Sequence, residues 1–305
     1  MAIAKRVLLF IVVNFFVIIM LSIVIRLFGL DRMLTARGLN YPMLMGFCLI
    51  WGMGGAFISL LLSRFIAKIA MGVQVIDPDD PDPDRRGVVT LVHRLARDAG
   101  LSVMPEVGVY ESPEVNAFAT GPTRSQALVA VSTGLLRRME RNEVEAVIGH
   151  ELGHVVNGDM VTMTLIQGVV NAFVMFLSRV IAFAIASASA NRDRRDGDGE
   201  GFSYLTYWLV QIALEIALMI PGTMLVCWFS RWREFGADRM GARLAGRQNM
   251  IQALERLQET FGQVNDARAP ALQTLKISGR GTGLMRLFST HPPLEVRIER
   301  LRNSA

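Results

Sequence analysis

The sequence predicts a mainly α, membrane-integral chain: four transmembrane helices joined to a cytoplasmic α+β domain that contains a small β-sheet. Three observations predict it. Charged residues make up only 19% of the 305 residues while 51% are hydrophobic, against roughly 25% charged in an ordinary soluble domain. The apolar residues are gathered in four long runs rather than spread. The polar stretches between and after those runs carry strand-like and helix-like patterns of their own.

The first run, residues 7–28, is long enough to cross about 30 Å of hydrocarbon. Lys5 and Arg6 precede it as they would a signal peptide, but the run is too long for a signal core and no small-x-small cleavage site follows. It reads as a retained span, with Arg26 able to snorkel. The second run, 42–63, carries Gly46, Gly52, Gly54 and Gly55, which would allow close helix packing. The acidic, Pro-rich stretch DPDDPDPDRR at 77–86 then reads as a solvated linker, because so many prolines oppose helix and central strand.

Residues 86–99 place Val89, Val92, Leu95, Ala96 and Ala99 on one helical face, with His93 beside it as a structural or surface histidine. PEVGVY and ALVAVS read as short strands separated by the turn-rich NAFATGPTRSQ, and 133–141 as a short helix. A further helix begins near Asn142 as N-cap and carries Val144, Val147, Ile148 and Leu152 on its apolar face, with Gly158 ending or bending it. The third run, 160–190, is longer than the hydrocarbon core requires, so its beginning should stand clear of lipid. The polar, Gly-rich loop 191–203 precedes the fourth run, 204–228, where Pro221 could introduce a kink. The remainder, 229–305, is polar and helical in pattern.

These readings divide the chain into 1–70 (two spans), 71–159 (first polar part), 160–228 (two spans and their loop) and 229–305 (second polar part). Four crossings put both termini on one side. The basic flanks, including Arg64, Lys68, Arg231 and Arg233, place that side in the cytoplasm of a bacterial inner membrane, although Arg192, Arg194 and Arg195 oppose that vote. A net charge of +5 could point to nucleic acid, but the basic residues form no stripe interleaved with aromatics. No nucleic-acid partner is expected; the bilayer is. The two cysteines, Cys48 and Cys227, lie in apolar surroundings and offer neither a disulfide framework nor a Cys-rich metal site. Arg179 lies 11 residues before the end of the third run and Glu215 11 residues after the start of the fourth. Antiparallel helices bring them to similar depth, so they should pair; a transport path is the other reading of such charges.

The chemistry is concentrated in HELGH. His150 and His154, four residues apart on a helix, project from one face and can share a metal ion, and Glu151 can reach water at such a metal. A catalytic zinc needs a third protein ligand and an open position. Asn157 and Met160 stand where the HExxHxxGxxH pattern would have Gly and His, so that ligand must come from elsewhere. The candidates are Glu234 and Asp238 in SRWREFGADRMGARLAG, one turn apart, one able to ligate while the other orients a histidine.

EVNAFATG, HELGH followed by an apolar run, SRWREFGAD and STHPPLEVRIERL, in that order along nearly the whole chain, resemble the HtpX family of membrane-integral zinc endopeptidases. The resemblance implies a zincin-type metalloprotease domain and one Zn2+ per chain held by His150, His154 and Glu234. It implies Glu151 as the catalytic acid, and a role in membrane protein quality control under stress with membrane proteins as substrates. It further implies that His291 lies near the zinc, able to donate to an oxyanion, and that Asn116, Ala117 and Phe118 belong to an edge strand that binds extended substrate. An intramembrane protease would need a second-span Asp motif, which the fourth run lacks. A membrane scaffold or transporter with a structural zinc is the non-enzymatic alternative, and would need a closed four-ligand site. Sequence leaves the oligomeric state open.

Overall fold

The computed structural model describes residues 40–193, 204–266 and 283–303. The expected first span, most of the 191–203 loop and residues 267–282 lie outside them. In chain order the described elements are α1 (Tyr41–Met71), β1 (Gln74–Val75), α2 (Pro83–Asp98), β2 (Glu106–Tyr110), β3 (Ala117–Thr120), β4 (Leu128–Ser132), α3 (Thr133–Arg138), α4 (Arg141–Asn157), α5 (Asp159–Asp193), α6 (Tyr204–Ala245), α7 (Arg247–Asp266) and α8 (Leu294–Arg302), with 3-10 turns at Arg124–Gln126 and Gly283–Phe288. They fall into two units, one from residues 1–57 and 164–226, the other from 58–163 and 227–305.

The first unit is built from apolar helix. Among the described residues α1, α5 and α6 are long and apolar enough to cross a membrane. Ile50, Phe173, Leu209 and Ile216 are exposed there, as lipid-facing residues should be, because hydrocarbon solvates them as well as a core does. Leu44 and Cys48 of α1 bury against Met175 of α5. A Cβ on Gly52 would lie 2.6 to 2.8 Å from the backbone and Cβ of Ala172, so this crossing requires glycine. Gly46 and Gly54, expected to help packing, have nothing within 4 Å of such a Cβ. Gly52→Val should therefore destabilise by about 1–3 kcal/mol through overpacking, read as a lowered thermal midpoint in detergent, while Gly54→Ala leaves the midpoint unchanged.

Arg179 and Glu215 do pair, at 2.9 Å. Ser178 Oγ and Gln211 Nε2 also donate to Glu215 Oε1, and Arg179 Nη1 donates to the Met175 carbonyl. α6 runs unbroken through Pro221 and on to Ala245; its 42 residues reach about 63 Å at 1.5 Å per residue. The expected boundary at 228/229 thus falls inside one helix.

The second unit holds the four-stranded sheet, ordered β1-β2-β4-β3. β2 and β4 are parallel, with Val107 opposite Val129; β3 is antiparallel to β4, with Phe118 opposite Ala130. β4 is buried along its whole length and is the central, continuously apolar strand. The AFA of NAFA is therefore strand at the sheet's edge and not only turn, while Asn116, expected in that strand, lies just before it. Gln74–Val75, unannounced in the sequence, adds two residues at the opposite edge. Arg64 and Lys68, read as basic flanks of a span, both reach Glu106 at the start of β2.

The amphipathic α2 buries Val88, Val89, Val92, Leu95 and Ala96. It starts inside the acidic stretch, with Pro83 in its first turn and Asp82 accepting from the Asp84 N–H. A first-turn proline loses no helical hydrogen bond, so the linker reading fails for 83–86. Asn142 is not the N-cap of α4. Glu140 takes that place, in extended conformation, and its N–H donates to Glu143. Asn142 lies one residue inside the helix and bonds Asn249 and Gln252 on α7. Gly158, at φ +70°, ends α4 in the left-handed conformation that glycine tolerates.

Candidate metal centre and active site

The glycine of HELGH sets how closely α6 approaches α4. A Cβ on Gly153 would sit 3.0 Å from Ala237 Cα and 2.9 Å from Met240 Cβ, and one on Gly241 only 3.1 Å from the Ala146 carbonyl oxygen. This tight crossing brings Glu234 and Asp238 within reach of the two histidines.

His150 and His154 stand edge to face, ring centroids 4.8 Å apart. The nitrogens nearer Glu234 are both Nε2, His150 at 3.6 Å from Oε2 and His154 at 3.3 Å from Oε1. One ligand atom from each of the three residues lies within 4.8 Å of the others. Each imidazole is oriented from behind: His150 Nδ1 lies 2.9 Å from Asp238 Oδ1, and His154 Nδ1 2.6 Å from Asp159 Oδ2. A carboxylate on one ring nitrogen fixes tautomer and direction of the other. Asp238 thus takes the orienting place that the i, i+4 pair left open between it and Glu234. Asp159 was not expected, having been passed over as the lip of the third run.

Arg297 of α8 also escaped the sequence reading. It is buried and bidentate to Asp238, with Nε to Oδ2 at 2.8 Å and Nη2 to Oδ1 at 2.5 Å. Burial alone would raise the Asp238 carboxyl, but the Arg297 charge and its hydrogen bonds outweigh that and hold it at about 2. Burial would likewise raise Glu234, yet the facing His291, His150 and His154 hold it well below the carboxylate range. His150 is opposed by its burial, and the hydrogen bonds to Asp238 and Glu234 still lift it to about 9. The cluster thus holds protons that a cation would displace.

Glu234 is 0% exposed. Its Oε2 receives His291 Nδ1 at 2.7 Å, while its Oε1 is buried without a hydrogen-bond partner. Oε1 faces His154 Nε2 and Oε2 faces His150 Nε2; a buried carboxylate oxygen with no hydrogen bond at such a cluster is a site that a divalent cation would complete, so the residues fit a metal. Glu151 points to the sheet edge, where its Oε2 accepts the Ala119 N–H at 3.0 Å. Ala119 therefore directs its N–H away from β4. Ala117 and Ala119 pack with the core that contains α4, whereas Phe118 turns to the other face, against Tyr110 at 5.6 Å between centroids. The described contacts of Asn116 are made by its backbone, with the Ser132 hydroxyl and N–H and the Tyr110 hydroxyl. Glu151, His150, His154, Glu234, Asp238 and His291 are brought together as expected; the Phe118 side chain is not.

The peptidase family M48 model matches residues 84–305. The chain belongs to peptidase family M48. Relatives of this M48 chain include a protease HtpX homolog of Verminephrobacter eiseniae, 52% identical over 98% of this chain and 99% of the relative. The protease HtpX of Thioalkalivibrio sulfidiphilus is 47% identical over 98% of each. The crystal structure of S. mikatae Ste24p resembles it at a TM-score of 0.56 and 19% identity, covering 82% of this chain and 56% of that one, a likeness of fold. The M48 chain is thus an HtpX-type membrane metalloprotease with a helical body, a small mixed sheet and a His–His–Glu metal site.

Proposed function

We propose that this M48 chain is a zinc-dependent endopeptidase that cleaves misfolded or damaged membrane proteins at the cytoplasmic face of a bacterial inner membrane. The observation that carries the reading is Glu234 Oε1, buried without a hydrogen bond 3.3 Å from His154 Nε2, in a cluster of two histidines whose far nitrogens face Asp238 and Asp159. His150, His154 and Glu234 would hold one zinc ion, since two imidazoles and a carboxylate with an open fourth position form a catalytic zinc donor set. When bound, zinc supplies the Lewis acidity that makes water nucleophilic near neutral pH and polarises a peptide carbonyl. Glu151 then takes the proton of the attacking water on its carboxylate and returns it to the leaving amine. His291, whose Nδ1 meets Glu234, would donate from its other ring nitrogen to the oxygen that gains charge. Ala117 and Ala119 lie on the edge strand next to Glu151, where an extended peptide can add to the sheet.

Trp228 and Trp232 support the location. They lie one turn apart on α6, 59% and 61% exposed, and Trp232 precedes Glu234 by two residues. Exposed tryptophans at the end of an apolar helix mark the boundary between hydrocarbon and water. Substrate bonds near that boundary are the ones within reach.

The test is proteolysis of an unfolded membrane protein by the purified chain in detergent. Chelation should stop cleavage, and zinc, not magnesium, should restore it as one equivalent binds. Cleavage that continues after all cation is removed overturns the reading.

A further inference from the structure

The segment from the 3-10 turn to α8 carries two residues of the site, His291 and Arg297, but has little structure of its own. Residues 289–293 are neither helix nor strand, and Pro292 and Pro293 bring no N–H. His291 is half exposed and makes one hydrogen bond into the site. Within the segment the Ser289 hydroxyl donates to the His291 carbonyl at 2.7 Å, so the two move together and their place against the site is set from outside.

One stripe of α6 sets it. Cys227 Sγ donates to the Phe288 carbonyl at 3.4 Å. Arg231 Nη1 lies 3.2, 3.1 and 2.6 Å from the carbonyl oxygens of Arg286, Leu287 and Ser289. Glu234 then receives His291, the Arg300 guanidinium stacks 4.3 Å over the Phe235 ring, and Asp238 receives Arg297. Four consecutive carbonyls, 286 to 289, thus face α6, and one guanidinium group gathers three of them. These carbonyls close a short helical turn; the Ser289 N–H donates to that of Arg286 at 3.3 Å, and the negative end of such a turn favours a cation.

We infer that Arg231 is a positioning residue: by gathering the 286, 287 and 289 carbonyls it fixes the strap that sets His291 against Glu234. Only Thr290 lies between Ser289 and His291, so a shift at the first passes to the second. The inference rests on the proposed endopeptidase reading for its kinetic consequence and on the hydrogen bonds alone for its structural one. A misplacement of about 1 Å can cost on the order of 10²-fold in rate. Arg231→Leu in the full chain should lower kcat by about 10- to 100-fold with KM little changed, and leave zinc stoichiometry intact, since Arg231 touches none of His150, His154 and Glu234. Arg231→Lys, which keeps a cation near the same carbonyls, should recover part of that loss. In a His291→Ala background Arg231→Leu should add little, because both act through one imidazole.

The second readout is amide hydrogen exchange. Residues 284–296 should exchange faster in Arg231→Leu, with α4 and the sheet unchanged, in both metal-loaded and metal-free chain. If exchange there stays at the wild-type rate, or the kcat loss only follows loss of folded protein, or the two substitutions add fully, the inference is overturned. A wild-type chain that cleaves nothing would sink the endopeptidase reading, and the exchange measurement would still decide whether Arg231 holds the strap.

Discussion

Glu151→Gln should reduce peptide cleavage by about 10²- to 10⁴-fold, the span of general acid–base catalysis, while bound metal stays at the wild-type level. Glutamine has the size of glutamate, and its carbonyl oxygen can still accept the Ala119 N–H that holds the carboxylate at the β3 edge. His150, His154 and Glu234 are untouched, as are Asp159 and Asp238 behind the imidazoles. What is lost is the ability to take and return a proton. Metal analysis and turnover on the same preparation check this. Unchanged turnover would indicate a structural metal in a scaffold, and loss of metal would make Glu151 a ligand, contrary to its bond to β3.

Breaking the ion pair inside the membrane unit should have the second large effect. Arg179 and Glu215 are buried, and Glu215 Oε1 receives Arg179, Gln211 and Ser178. Removing one partner of a buried pair typically costs about 3–5 kcal/mol, because the other charge is left without compensation or water. The two single variants should differ. A lone carboxylate can neutralise itself by taking a proton, whereas a guanidinium cannot. Glu215→Met should therefore lower the thermal midpoint in detergent more than Arg179→Met. The double variant should recover most of the loss, since apolar side chains of similar volume replace the whole pair. Losses that simply add would show that the pair is not coupled.

The parts of this molecule legible in its sequence are those encoded over short spacings. His150, Glu151 and His154 lie within one helical turn and a half, and apolar runs announce helices by length alone. The pairing of Arg179 with Glu215 was legible because two antiparallel runs fix depth by counting residues. Between Glu234 and Asp238 spacing could not choose, since both lie on one face; the approach of α4 decides, with Glu234 reaching the Nε2 side and Asp238 the Nδ1 side of His150. Asp159 was obscured by its place at the head of an apolar run. Only the turn at Gly158 swings it back to His154. Arg297 was hidden in a helix with several arginines, and its burial depends on a partner 59 residues earlier. β1 escaped because two residues carry no periodicity, and the capping of α4 by Glu140 because asparagine is ordinarily the stronger N-cap.

The two ends of the sheet differ in what they would offer an unfolded chain. Open strand edges are templates on which such chains accumulate. Here β1 offers only two residues at one edge, too short a platform for a growing aggregate. The longer edge, β3, borders Glu151. On the proposed endopeptidase reading, a sticky polypeptide that extends the sheet would do so beside the residue that serves cleavage, so the surface most able to seed polymerisation would also be the one where the captured chain is shortened and released.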